Sequence, residues 1–296
     1  MIKSYNFNSG KAGPKIVLMG AIHGNEVCGT QAIQQLIDNL HTGTVKLERG
    51  SLLLIPVANP KAYKQGTRFV EKNLNRIFKK TEHPHSYEET LANQLTELLQ
   101  DCDILIDFHS IHTQGWPFAM HFDFFTDIEE QIIKASGVPF VIKGWDTAYA
   151  RSLSGATDKG QSKHTVSFMH DLGKIGIGIE CGQHEDENSI VVASDTINRL
   201  LAYFGLIDRQ FEITDHQKTV YLEHVYFRQS EQDLFKQDFY HGQILAKGDV
   251  IAHCVDGDIL CPKDNMMILF PRPQCPVGEE WFYMGCQENS ENSLSS

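Results

Sequence analysis

Short, almost continuously apolar runs, each followed by a stretch of different periodicity, constrain this chain more than any other feature. The runs are KIVLMGAI (15–22), SLLLIPVANP (51–60), CDILIDFH (102–109), FVIKGW (140–145) and GIGIECG (176–182). Runs with so little polar alternation read as strands covered on both faces. Between them lie helical patterns. Residues 26–40 place Ile33, Leu36, Ile37 and Leu40 on one face. Residues 86–100 open with SYEE, a capping-box pattern, and group Leu91, Leu95, Leu98 and Leu99. A third helix is expected over 188–204. The alternation predicts an α/β layer with a largely parallel or mixed sheet.

The texture changes after Gly205. Short β runs with turn residues follow: TVYLEHVYF, GQILAKGDVIAHC, GDILCP and NMMILFPRP. We read residues 1–207 as an α/β catalytic domain, 208–290 as a β-rich, barrel-sandwich-like domain and 291–296 as a frayed tail. The lysine in AKGDV lacks the flanking residues of a biotin or lipoate attachment site, so it is assigned no cofactor.

Thirty-eight acidic against 26 basic side chains give a formal net charge of −12. That argues against nucleic acid or an anionic membrane as a partner, though not against a small anion at a local basic site. The seven cysteines include no Cys-x-x-Cys pair and read as reduced, buried thiols. MIKSYNFNSG lacks the apolar core of a signal peptide, and no run approaches membrane-spanning length. A cytoplasmic location is expected, and a homo-oligomer is compatible with the sequence.

Open α/β sheets bind ligands beyond the carboxyl ends of their strands. In GAIHGNEVCG, His23 and Glu26 fall just after an apolar run. Roughly one His-x-x-Glu is expected by chance in such a composition, so the pair needs support from elsewhere. A catalytic zinc takes three protein ligands, often two histidines and a carboxylate. CDILIDFHS supplies His109 at a second strand end. Its rival His112 lies further out in the loop, and Asp107 shares the face of His109 by strand alternation. GIGIECG ends its apolar run on Glu180. This residue is either a salt-bridged strand-end carboxylate or a base that takes a proton from the metal's water. Cys181 should face the core. Cys28 is the obvious fourth ligand if the metal were only structural.

Seven of the 26 cations fall within residues 61–80, KAYKQGTRFVEKNLNRIFKK, against one acid, Glu71. Lys79 and Lys80 read as a solvated face. Arg68, Asn75 and Arg76 suit capture of a carboxylate, and an arginine near zinc can polarise a carbonyl. A small anionic substrate is the natural inference.

GAIHGNE, TRFVEKNLNRIF, DFHS and GIECG occur in the order seen in the succinylglutamate desuccinylase/aspartoacylase family, which this chain resembles over about its first 200 residues. The resemblance implies a zinc-carboxypeptidase-like mixed sheet flanked by helices, with a smaller all-β C-terminal domain. It implies one zinc per chain held by His23, Glu26 and His109, with Glu180 as general base. Arg68 would polarise the scissile carbonyl, while Asn75 and Arg76 would grip the carboxylate of the amino-acid half. The implied reaction is hydrolysis of an N-acyl amino acid. Aspartoacylases carry a further arginine shortly before the base, but here the segment reads HTVSFMHDLGK, with His170 near that position. A neutral imidazole substitutes poorly for a guanidinium, which argues against N-acetylaspartate as substrate. Arg151 and Lys163 are the other cations nearby, without a motif to support either. A zinc carboxypeptidase or peptide amidase would use the same residues, and a non-catalytic metal-dependent binding protein is the reading from another class.

Overall fold

In the computed structural model, which describes residues 2–152, 163–213 and 216–288, the apolar runs become neighbouring strands of one large sheet. The N-terminal part contains β1 (Tyr5–Asn8), β2 (Lys15–Gly20), α1 (Cys28–Thr42), β3 (Ser51–Ile55), α2 (Pro60–Gln65) and α3 (Tyr87–Leu99). It continues with β4 (Ile104–Ile111), β5 (Phe118–Met120), α4 (Asp127–Ser136), β6 (Phe140–Lys143), α5 (Trp145–Ser152), α6 (Thr165–Asp171), β7 (Ile175–Gln183) and α7 (Glu187–Tyr203). Among the described residues, only strands follow: β8 (Lys218–Phe227), β9 (Leu234–Phe235), β10 (Gln243–Leu245), β11 (Val250–His253), β12 (Ile259–Leu260), β13 (Met266–Leu269) and β14 (Glu280–Gln287).

The 11-stranded sheet has the order β1-β3-β2-β4-β7-β5-β6-β8-β14-β13-β10. Strands β3, β2, β4 and β7 run parallel, and β1 and β5 are antiparallel to their neighbours β3 and β7. The C-terminal strands continue the same sheet: β8 pairs parallel with β6, and β14, β13 and β10 follow antiparallel. A separate three-stranded sheet, β12-β11-β9, packs in this C-terminal part. The fold is thus the expected mixed α/β sheet with helices and C-terminal antiparallel strands.

The near-continuous apolar character of β2 has a direct cause. Ile16 and Leu18 pack with Ile33, Leu36 and Ile37 of α1 and with Ile197 and Leu201 of α7. Val17 and Met19 join the other core, with Leu91, Leu95 and Leu99 of α3. Both faces are buried, so neither set of alternate positions can be polar. The SYEE box caps α3 as its spacing predicts: Ser86 Oγ accepts from Glu89 N–H at 3.2 Å, and Glu89 Oε2 accepts from Ser86 N–H at 3.2 Å. Among the described residues, no helix is long and apolar enough to cross a membrane.

Candidate metal centre

Beyond β2 the chain reverses tightly. Ala21 takes a left-handed backbone with φ of 47°, a sparsely populated conformation for an L residue. Gly24 passes so close to α2 that a Cβ there would lie 2.1 Å from the Ala62 carbonyl carbon, which only glycine avoids. Its N–H donates to Arg68 O at 3.2 Å, and Glu26 N–H donates back to His23 O at 3.1 Å. The turn therefore brings His23 and Glu26 together before α1 begins at Cys28.

His109 joins them from β4. The strand runs two residues past the expected end, to Ile111, because Ile111 still finds a partner in Gln183 of β7. One ligand-capable atom from each of His23, Glu26 and His109 lies within 4.8 Å of the others, and all three residues are buried. The two imidazole centroids are 5.3 Å apart.

The donor arrangement fits a divalent cation. His23 Nε2–H donates to Asn73 Oδ1 at 3.1 Å, which leaves Nδ1 with its lone pair. That Nδ1 lies 2.8 Å from Glu26 Oε1 yet has no hydrogen-bond partner among the described residues. Burial, then the Arg68 charge, push His23 down to about 4, so it is neutral and able to ligate at pH 7. A lone pair and a carboxylate oxygen so close in a dry site call for a positive charge between them. His109 presents Nδ1 to Glu26 Oε2 at 2.9 Å, and its Nε2 lies 3.1 Å from Asp107 Oδ2. Although burial opposes it, Asp107 and then Glu26 hold His109 well above the usual range, while His23 and His109 hold Glu26 well below its own.

Glu180 stands across from His109 in the β4–β7 register. Burial pushes its carboxyl up to about 8, and Oε2 has no hydrogen-bond partner among the described residues. Neighbouring Cys181 is 1 % exposed and packs in the core with Cys28, whose thiol donates to His109 O at 3.4 Å. His112 turns away, its Nε2–H donating to Pro271 O at 2.8 Å.

Beyond α2, the basic segment has little regular structure of its own except a short 3-10 turn at Leu74–Arg76. Glu88, fully buried on α3, holds it instead. Its carboxylate accepts the N–H groups of Val70, Glu71 and Lys72 at 2.8, 3.2 and 3.2 Å, and the Asn59 amide at 3.3 Å. Arg68 Nη1 then reaches Glu26 Oε1 at 2.6 Å. Asn75 Oδ1 accepts Thr165 N–H at 3.0 Å, and Arg76 Nη1 donates to Asn75 O at 3.0 Å.

Sequence reasoning missed the residues around Arg76. Glu280 of β14 lies 3.9 Å from its guanidinium, Tyr149 of α5 donates to Glu280 Oε1 at 2.8 Å, and Tyr283 meets Tyr149 at 2.7 Å between hydroxyls. Burial opposes it, but Tyr149 and Glu280 raise the Arg76 pKa further. Nothing near Glu280 or Tyr149 in the sequence marks them. His170 is exposed and stacks on Phe124 at 4.3 Å, and Lys163 is tied to Asp171 at 2.7 Å. Arg151 is exposed.

A mixed sheet with a buried His–Glu–His cluster at the carboxyl ends of its parallel strands defines an α/β protein with a metal-competent centre. Residues 12–204 match the succinylglutamate desuccinylase/aspartoacylase catalytic domain family. The chain belongs to that family. The succinylglutamate desuccinylase of Vibrio vulnificus (strain YJ016) is 36% identical over 85 residues, 29% of this chain but only 24% of that relative's length. The succinylglutamate desuccinylase of Shewanella woodyi is 25% identical over 299 residues, covering 90% of this chain and 80% of that protein. Among solved structures, the product-bound ectoine utilization protein EutE (DoeB) of Ruegeria pomeroyi superposes with a TM-score of 0.76 at 21% identity, over 97% of this chain and 89% of that one. At that identity the likeness is one of fold.

Proposed function

We propose that this protein is a zinc-dependent hydrolase that cleaves the amide bond of a small N-acyl amino acid, giving a carboxylate and a free amino acid. The observation that carries the reading is Glu180, without a hydrogen-bond partner at Oε2 among the described residues and in register beside His109 of the buried His23–Glu26–His109 cluster. Two histidines and one carboxylate are a hydrolytic zinc donor set. Zinc held there would supply Lewis acidity, making water a competent nucleophile near neutral pH.

The chain's own residues do the rest. Glu180 takes the proton of the attacking water and passes it to the departing amine nitrogen. Burial raises that carboxyl, and the positive charge of a bound cation would bring it back down, so that it can take up a proton and release it near neutral pH. Arg68, directed onto the cluster at Glu26, holds the scissile carbonyl oxygen as negative charge builds on it. Arg76, with Asn75 beside it, binds the carboxylate of the amino-acid half. Glu280, carried by β14 to 3.9 Å from Arg76, and the Tyr149–Tyr283 hydroxyl pair beside it border that carboxylate site.

The test combines metal analysis with a panel of N-acyl amino acids and short peptides, read as released amine. The expected result is bound zinc, turnover of acyl amino acids, and a Glu180→Gln variant that keeps zinc while losing roughly 100-fold or more in kcat. A zinc-loaded protein that cleaves neither panel, or a Gln variant with undiminished kcat, would overturn the reading.

A further inference from the structure

His164 is tied to the proposed carboxylate grip through the residues on either side of it. Lys163 N–H donates to Arg76 O at 3.1 Å, and Lys163 O accepts Phe78 N–H at 2.8 Å. Thr165 N–H donates to Asn75 Oδ1 at 3.0 Å, and Thr165 Oγ1–H donates to Asp107 Oδ2 at 2.6 Å. His164 thus stands between a residue bonded to Arg76 and one bonded to both Asn75 and the carboxylate behind His109. Its ring stacks on Phe122, with centroids 4.5 Å apart and planes at 24°. His170, nearest the missing arginine in sequence, stacks instead on Phe124.

The two nitrogens of the His164 ring have separate tasks. Nδ1 accepts Ser167 N–H at 3.2 Å and so caps α6, while Ser167 Oγ accepts His164 N–H at 3.0 Å. Burial, then the Arg76 charge, push His164 down to about 4, so at pH 7 the ring is neutral and carries one proton. With Nδ1 accepting, that proton is on Nε2. The half-buried ring gives this Nε2–H no hydrogen-bond partner among the described residues. A cap alone is no reason for a histidine, because Ser, Thr, Asp or Asn serve better there. A donor left open beside a guanidinium suits an anion that both can reach.

We infer that His164 is a substrate-binding residue whose Nε2–H donates to the same carboxylate that Arg76 and Asn75 hold. It acts in binding the amino-acid half, not in cleaving the bond, and it supplies direction without a second positive charge. The inference rests on the hydrolase reading above and adds a residue to that same site.

The experiment uses the zinc-loaded full chain, a panel of N-acetyl amino acids and two variants that separate the two nitrogens. An asparagine side chain can place its oxygen where Nδ1 lies, whereas a glutamine can place its nitrogen where Nε2 lies. His164→Asn keeps the cap and removes the far donor, so KM should rise about tenfold with kcat within about twofold and Tm unchanged. His164→Gln keeps the far donor and removes the cap. Its Tm should fall by a few degrees, while KM returns to within about threefold of wild type. A wild-type KM in His164→Asn, or a KM that rises in step with lost Tm in both variants, would overturn the inference while leaving the hydrolase reading intact. Absence of cleavage of the whole panel by the wild type would overturn both.

Discussion

Asp107 Oδ2 lies 3.1 Å from His109 Nε2, on the edge of the ring opposite the one that faces Glu26. A carboxylate on the far nitrogen of a ligating imidazole fixes its tautomer and raises its basicity. Thr165 fixes the carboxylate in turn by donating to the same oxygen at 2.6 Å. Asp107→Asn should therefore weaken zinc binding by about 10- to 100-fold, measured by competition with a chromophoric chelator. Wild-type affinity in that variant would remove Asp107 from the metal centre.

Glu88 makes a prediction of a different kind, because it touches none of the proposed chemistry. Its buried carboxylate gathers four neutral donors, three of them consecutive backbone N–H groups between Arg68 and Asn73. Glu88→Gln keeps the size but turns an N–H donor toward those same N–H groups. The segment bearing both arginines should loosen, and small misplacements of positioning groups can lower rates by about 100-fold. We expect kcat/KM to fall by about 10- to 100-fold with zinc content unchanged. Full activity in this variant would show that the segment is held by other means.

Tyr149 and Glu280 bear on binding. Burial and the adjacent Glu280 raise the Tyr149 hydroxyl well above its ordinary range, so it remains a donor, and its proton goes to Glu280. In Tyr149→Phe, Glu280 loses that donor and turns more fully to Arg76, competing with the substrate carboxylate. KM should rise several-fold, on the order of 10-fold, with a smaller change in kcat. A fall in kcat at constant KM would place Tyr149 at the chemical step instead.

These three cases also show where the sequence was legible. His23 and Glu26 follow β2, and His109 and Glu180 lie toward the carboxyl ends of β4 and β7. The two-sided burial of these apolar runs leaves a plain pattern, so their place at one end of the parallel strands could be read from the sequence. Strand alternation likewise placed Asp107 beside His109. Glu88 sat in plain view within SYEE, but the capping box accounts for its neighbour Glu89, and nothing local says that Glu88 is buried. Tyr149 and Glu280 reach Arg76 only because β14 follows β8 in a sheet that continues past β6, a pairing between segments far apart in sequence. α4 was a different omission: Thr126 and Glu129 form a full capping box, so its start was readable and overlooked.

The last prediction concerns pH and a residue away from the metal. His241 is 1 % exposed and lies against Trp116, Phe270 and Phe118, with ring centroids at 4.3, 4.5 and 5.7 Å. Its Nδ1 accepts Phe270 N–H at 3.3 Å, at a residue whose φ of 51° is strained for a bulky side chain. Burial, with His112 nearby, pushes His241 down to about 3. An unfolded histidine titrates near 6.5. The folded value is the lower one, so the neutral form's contribution is complete above pH 6.5 and is lost as pH falls from there toward 3. The loss can reach about 1.4 kcal/mol per pH unit. His23 and His164, both lowered to about 4, add to the acid sensitivity of the wild type, so a difference between proteins is the useful measure. His241→Phe keeps the stacking but removes the acceptor, which should destabilise by about 1–3 kcal/mol at pH 7. Its stability should then fall less steeply, so that denaturant curves taken at intervals from pH 7 to pH 4 converge. Parallel curves would mean that His241 takes up its proton without opposing the fold.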